Sequence, residues 1–152
     1  SAPSHSISRG YNSRLDEMQA ALLLWGLENL EEWNARRRSM AATYSSSLLD
    51  TVVTVPYESR LNHHVYHLYV VRSDDRARLR STLASKGIGA AVHYPVPVHQ
   101  QEGFAGRCRI GVGDLPVTEQ LSSESLSLPL FPELTREEQQ RVIDAVNSVA
   151  RE

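Results

Sequence analysis

Residues 10–23 read Gly-Tyr-Asn-Ser-Arg-Leu-Asp-Glu-Met-Gln-Ala-Ala-Leu-Leu. A polar turn, a helix start and an apolar helix face are compressed into this stretch. Ser13 is placed to cap a helix, and Asp16, three residues on, comes close to completing a capping box. The Asn12 amide and the Arg14 guanidinium then sit at the positive end of that helix, where free N–H groups favour anions. Two readings stay open here: a capped surface helix, or a corner facing a phosphate.

The helical pattern continues from residue 14 to residue 49. Leu15, Met18, Leu22 and Trp25 follow the spacing of one buried stripe, and Leu30, Trp33, Arg37, Met40, Tyr44 and Leu48 carry a second stripe in a new phase. Gly26 lies between them, so the pattern predicts two helices or one bent helix. A helical unit this long suits a connector that reaches another domain. The run Arg36-Arg37-Arg38 spreads around such a helix and reads as a solvated face.

The chain has 152 residues, enough for one domain with its own core. A hydrophobic share of 41% and a formal charge of −2 describe a globular protein with no electrostatic case for nucleic acid. No apolar run reaches the length of a membrane span, and the polar start carries no secretion signal. A lone cysteine, Cys108, excludes an internal disulfide, which fits a reducing, cytoplasmic setting. The chain opens on Ser1 in a loose polar run, which reads as a piece of a longer polypeptide. Lys86 is its one lysine among sixteen basic side chains, which restricts any chemistry needing an amine nucleophile.

After the helices, residues 51–56 and 65–72 read as strands rich in β-branched and aromatic residues. Ser73-Asp74-Asp75 starts a helix that ends at Lys86 and Gly87. Residues 89–93 return as a strand. Residues 94–115 are long and irregular, as functional or partner-facing loops are. Residues 116–123 suggest a short helix and 126–130 a strand that Pro129 confines to an edge or an end. Thr135-Arg136-Glu137-Glu138 starts a last helix, with Val142, Ile143, Val146 and Val149 inward. The order predicts an α+β fold: a small, mostly antiparallel sheet covered by helices. The expected divisions are an arm (1–13), connector helices (14–49) and a small domain (50–152).

Two histidine groupings stand out. His63, His64 and His67 suggest a metal site, yet on a strand His63 and His67 would lie about 13 Å apart with His64 on the other face. One ion with bonds of about 2 Å cannot bridge that span. Val-His-Tyr-Pro-Val-Pro-Val-His, residues 92–99, is stiffened by Pro95 and Pro97. It holds His93, Tyr94 and His99 in place, the two histidines about 19 Å apart if extended. It reads either as a rigid surface connector or as the lining for one elongated ligand. No nucleophile elbow, Walker loop or dinucleotide fingerprint occurs. Lys86, at a helix end, reads as a structural cation.

Five stretches in order carry a family resemblance: Y-N-S-R-L-D-E-M-Q-A-A-L, W-N-A-R-R-R-x-x-A-x-x-Y, H-V-Y-H-L-Y-V-V-R, G-I-G-x-x-x-H-Y-P-x-P-x-H and L-S-L-P-L-F-P-E-L-T. Together they resemble the C-terminal part of the DegT/DnrJ/StrS family of sugar aminotransferases. The resemblance implies the small domain of a fold-type I enzyme that uses pyridoxal phosphate. Such an enzyme moves an amino group from glutamate to a keto-deoxysugar carried on a nucleoside diphosphate, and works as a homodimer with active sites at the interface. It further implies that Asn12 reaches the cofactor phosphate of the neighbouring subunit, and that Arg14, His93, Tyr94 and His99 lie close to the substrate.

Lys86 does not match the family's Schiff-base lysine, which lies upstream in a large domain absent here. The chain alone is therefore expected to be inactive. A histidine at that upstream position would make the parent a related sugar dehydratase instead. The remaining alternative is a non-catalytic dimerising or ligand-binding module.

Overall fold

The computed structural model describes residues 14–104, 106–111 and 113–149, and divides the chain into two units, Ser1–Glu32 and Trp33–Glu152. The Ser13 cap therefore lies outside the described residues. Helix α1, Glu17–Ser47, is one continuous helix through Gly26, not two. Asp16 occupies its cap position: the Asp16 carbonyl accepts from Ala20 N–H at 2.9 Å, and Gln19 Oε1 reaches back to Asp16 N–H at 3.5 Å.

The expected buried stripe at the start of α1 is not buried. Leu15, Met18, Leu22 and Trp25 are all more than 60% exposed, and Leu23, Leu24 and Leu27 are exposed as well. These apolar residues surround the helix, so no single stripe exists for one neighbouring layer to cover. Within the second unit the expected stripe is buried at Tyr44 and Leu48, while Trp33, Arg37 and Met40 are half-buried. Ala41, Tyr44 and Leu48 are buried, with Met40 packed against the core.

The second unit is built around an antiparallel pair, β1 (Tyr69–Arg72) and β2 (Ser125–Leu128), in the register Tyr69↔Leu128 and Val71↔Leu126. Tyr69 and Val71 are buried while Val70 and Arg72 are half-buried, the period-two pattern of a strand with one core face. The sheet widens by one residue on each side. Thr54 bridges Arg72, and Ala91 bridges Ser127, both antiparallel. The strands expected at 51–56 and 89–93 are therefore single bridges. Val52 and Val53 spend their N–H groups on the Leu49 carbonyl, turning the chain after α1. β2 has neighbours on both sides, and Pro129 marks its end.

Helix α2, Arg76–Ser85, is capped by Asp75, whose carboxylate accepts from Arg78 N–H at 3.0 Å. It buries Leu79 and Leu83. Gly87 follows at φ +71, the left-handed turn in which a Cβ is strained. Two 3₁₀ turns, Val98–Gln100 and Glu102–Phe104, punctuate the irregular segment before α3 (Pro116–Glu124).

Helix α4, Arg136–Ser148, starts in a complete Thr135/Glu138 capping box, which contributes about 1 kcal/mol. It turns Val142, Ile143 and Val146 inward as its spacing predicts. Two of its amides also tie down α1. Gln139 Nε2 donates to the Met40 carbonyl at 2.8 Å. Asn147 donates to the Ser47 carbonyl at 2.9 Å and accepts from Leu49 N–H at 3.0 Å, satisfying backbone groups that a helix end leaves open. Among the described residues no helix is long and apolar enough to cross a membrane.

Candidate functional site

His93 extends the chain from the Ala91 bridge, so the sheet itself positions it. Its Nδ1 meets the Oγ of buried Ser127 at 2.9 Å, and its ring stands edge-on to Tyr94 with centroids 5.8 Å apart. Tyr94 is 76% exposed, so the ring is presented to solvent, while its carbonyl accepts from Ser122 Oγ at 2.9 Å. Leu68, Gly89, Ala91, His93, Ser127 and Leu130 line an open groove of about 360 Å³ beside the bridge.

His99 lies in the first 3₁₀ turn, so the extended geometry expected between His93 and His99 ends at Val98. Its Nε2 meets Glu119 Oε1 at 3.0 Å. Segment 93–99 is thus fastened at three points: His93 to β2, and Tyr94 and His99 to α3. Arg14 is exposed and belongs to the other unit. Asn12 lies outside the described residues. The sequence singled out His93, Tyr94 and His99 as candidates but not their partners Ser127, Ser122 and Glu119. No motif marks these three; they become visible only when β2 and α3 pack beside the segment.

The His63–His67 region is not a strand, so the geometric premise applied to it does not hold. Tyr66 has φ +49, and its N–H donates to His64 Nδ1 at 2.8 Å, a local bond that draws the backbone away from the ladder. Glu58 organises this turn. It accepts from His64 N–H at 2.7 Å, Arg38 Nη1 at 2.9 Å and Tyr66 Oη at 3.1 Å. Arg38 also donates to the His64 carbonyl. The arginine run is therefore not simply a solvated face, because Arg38 pins the 58–66 turn to α1. Among the described residues no group of three or more His, Cys, Asp or Glu is placed to hold a metal ion.

These donors, the His64 amide first and Arg38 next, draw the Glu58 carboxyl down from 4.5 to about 2. A folded-state value below the unfolded one stabilises the fold fully above about pH 4.5. That contribution fades as the pH falls toward 2. Glu58→Gln should melt below the parent chain at neutral pH, with the gap closing on acidification. Thermal unfolding of both proteins between pH 2 and 7 checks this; a gap independent of pH would refute it.

Among the described residues, no lysine is placed to hold pyridoxal phosphate. Lys86 is exposed at the end of α2, and its Nζ donates to Ser148 Oγ at 2.6 Å, joining α2 to α4. Cys108 is exposed and free.

An antiparallel sheet flanked by helices, with a histidine- and tyrosine-bearing segment fastened beside it, defines a small α+β domain. The chain belongs to the DegT/DnrJ/EryC1/StrS aminotransferase family, matching it over residues 2–147. It is 44% identical over 142 residues to the pleiotropic regulatory protein of Geobacillus stearothermophilus, covering 90% of this chain and 37% of that protein. It is 44% identical over 144 residues to the dTDP-3-amino-3,4,6-trideoxy-alpha-D-glucose transaminase of Streptomyces venezuelae, covering 94% and 38%. The crystal structure of S. venezuelae DesV in complex with a ketimine intermediate superposes with a TM-score of 0.91 at 42% identity, over 100% of this chain and 41% of that one. The chain thus spans less than half the length of these relatives and corresponds to their C-terminal part.

Proposed function

We propose that this chain is the C-terminal domain of an aminotransferase that moves an amino group from glutamate to a keto-deoxysugar linked to a nucleoside diphosphate. Its close identity to a sugar transaminase over nearly its whole length carries this reading. Pyridoxal phosphate supplies the electron sink for such chemistry. In this proposal the cofactor is held mainly by a part of the enzyme outside this sequence, which agrees with Lys86 being engaged by Ser148.

Asn12 would contact the cofactor phosphate of a neighbouring subunit in a homodimer. Arg14, His93, Tyr94 and His99 would bind and orient the sugar nucleotide. The exposed apolar side chains of residues 15–30 support this picture, because a helix that is apolar all round suits burial in a larger assembly.

The test is a chimaera joining this chain to the N-terminal part of the S. venezuelae transaminase. It should load pyridoxal phosphate and transfer the amino group of glutamate to a dTDP-linked keto sugar. A folded, loaded chimaera that fails to aminate any nucleotide-linked keto sugar, or that dehydrates it instead, would overturn the proposal. The chain alone, treated with pyridoxal phosphate and borohydride, should show no stoichiometric label on Lys86.

A further inference from the structure

We propose that Glu119 is a positioning residue: from α3 it holds the His99 ring through Nε2, and with Ser122 one turn on it fixes segment 93–99 where the substrate is read to lie. The inference rests on the substrate role given to that segment above, and names what keeps it in place.

The His99 side chain is 10% exposed, whereas Glu119 is 47% exposed, and the two meet at 3.0 Å. The bond therefore orders a nearly buried ring from a half-open carboxylate. The His99 bond is the chief cause holding the Glu119 carboxyl below its ordinary range. An ionised carboxylate only accepts hydrogen bonds, so the shared hydrogen sits on His99 Nε2. In the neutral ring, Nδ1 then keeps its lone pair and is the nitrogen left to accept from a ligand. Among the described residues nothing bonds to Nδ1.

Glu119 and Ser122 are three residues apart and share one face of α3. That face holds the segment at both ends, at His99 Nε2 and at the Tyr94 carbonyl. The helix is itself anchored. Arg76 donates to the Ser122 and Ser125 carbonyls at the end of α3, and Ser73 N–H donates to the Glu124 carbonyl at 3.1 Å. No side chain of α3 is buried, so these polar ties give the helix its place. A Glu119 serving only the helix dipole would leave His99 indifferent to its removal.

Two measurements decide the question. In the labelled chain, His99 Nε2–H should give a downfield imidazole resonance protected from exchange. Glu119→Ala should lose it, while Glu119→Gln, whose amide oxygen can still accept from Nε2–H, should keep it in weakened form, with the amide signals of Tyr44 and Tyr69 in place in both. In the active chimaera, Glu119→Ala should lower kcat/KM for the sugar nucleotide by about tenfold, with KM for glutamate unchanged. Combined with His99→Ala it should cost no more than His99→Ala alone, as for two residues acting through one contact.

A resonance absent from the parent chain, or surviving Glu119→Ala, would overturn the hold on His99. Additive losses, or unchanged kinetics in Glu119→Ala, would overturn its relevance to substrate. An inactive unsubstituted chimaera would instead strike at the proposed function, and the resonance would still decide the hold.

Discussion

Tyr44→Ala should destabilise the second unit by about 3–5 kcal/mol, the usual cost of removing a fully buried aromatic ring. The ring is 0% exposed and lies 5.0 Å, centroid to centroid, from Tyr69, itself fully buried. Its hydroxyl donates to the Pro129 carbonyl at 2.9 Å, tying α1 to the residue that ends β2. Burial, with Tyr69 adding to it, pushes the phenol well above its ordinary range, so it remains a donor at any working pH. The truncation therefore opens a cavity and strands a carbonyl in one step. Tyr44→Phe keeps the ring and loses only the bond, at about 1–2 kcal/mol. Chemical unfolding followed by circular dichroism should order the chains parent, Phe, Ala. An alanine variant within 1 kcal/mol of the parent would show that packing at Tyr44 is looser than the structure has it.

Leu126→Ala should cost about 2–5 kcal/mol, and its effect should reach the site. Leu126 is 0% exposed, sits opposite Val71 in β2, and adjoins Ser127, which holds both the Ala91 bridge and the His93 ring. Loosening β2 at this point should release the His93–Ser127 contact before the domain unfolds. The expected signature is a lower unfolding midpoint together with faster exchange of the Ala91 and Ser127 amides under native conditions. A variant that loses stability while those amides stay protected would separate the core from the site.

Elements with a strong local signal were legible from sequence. Asp75 and Gly87 bracket α2, and the Thr135/Glu138 box starts α4. The inward residues of α4 follow from 3.6-residue spacing alone. The strands that failed were lost to nearby groups that compete with the ladder for the same backbone. Residues 65–68 have strand composition, but Glu58 and His64 offer Tyr66 side-chain bonds that displace the ladder. Residues 51–56 look like a strand until Leu49 claims two of their N–H groups. At the candidate site, the two prolines drew attention to the segment carrying His93, Tyr94 and His99, although its extended course ends at Val98. The groups that hold it, Ser122, Glu119 and Ser127, are ordinary polar residues at least twenty positions away, and no spacing rule points to them.

Helix α1 has one hydrogen-bonded backbone but two very different sources of stability. From Met40 onward, core packing and the Gln139 and Asn147 amides resist opening, so these turns should open only with the domain as a whole. From Glu17 to Leu30 the side chains in this chain give the helix little to pack against, and a lone helical stretch of this length is marginal in water. The free energy of opening should therefore fall along the helix toward its start. Whatever surface comes to cover residues 15–30 would supply the missing part, making helix completion and assembly a single linked equilibrium.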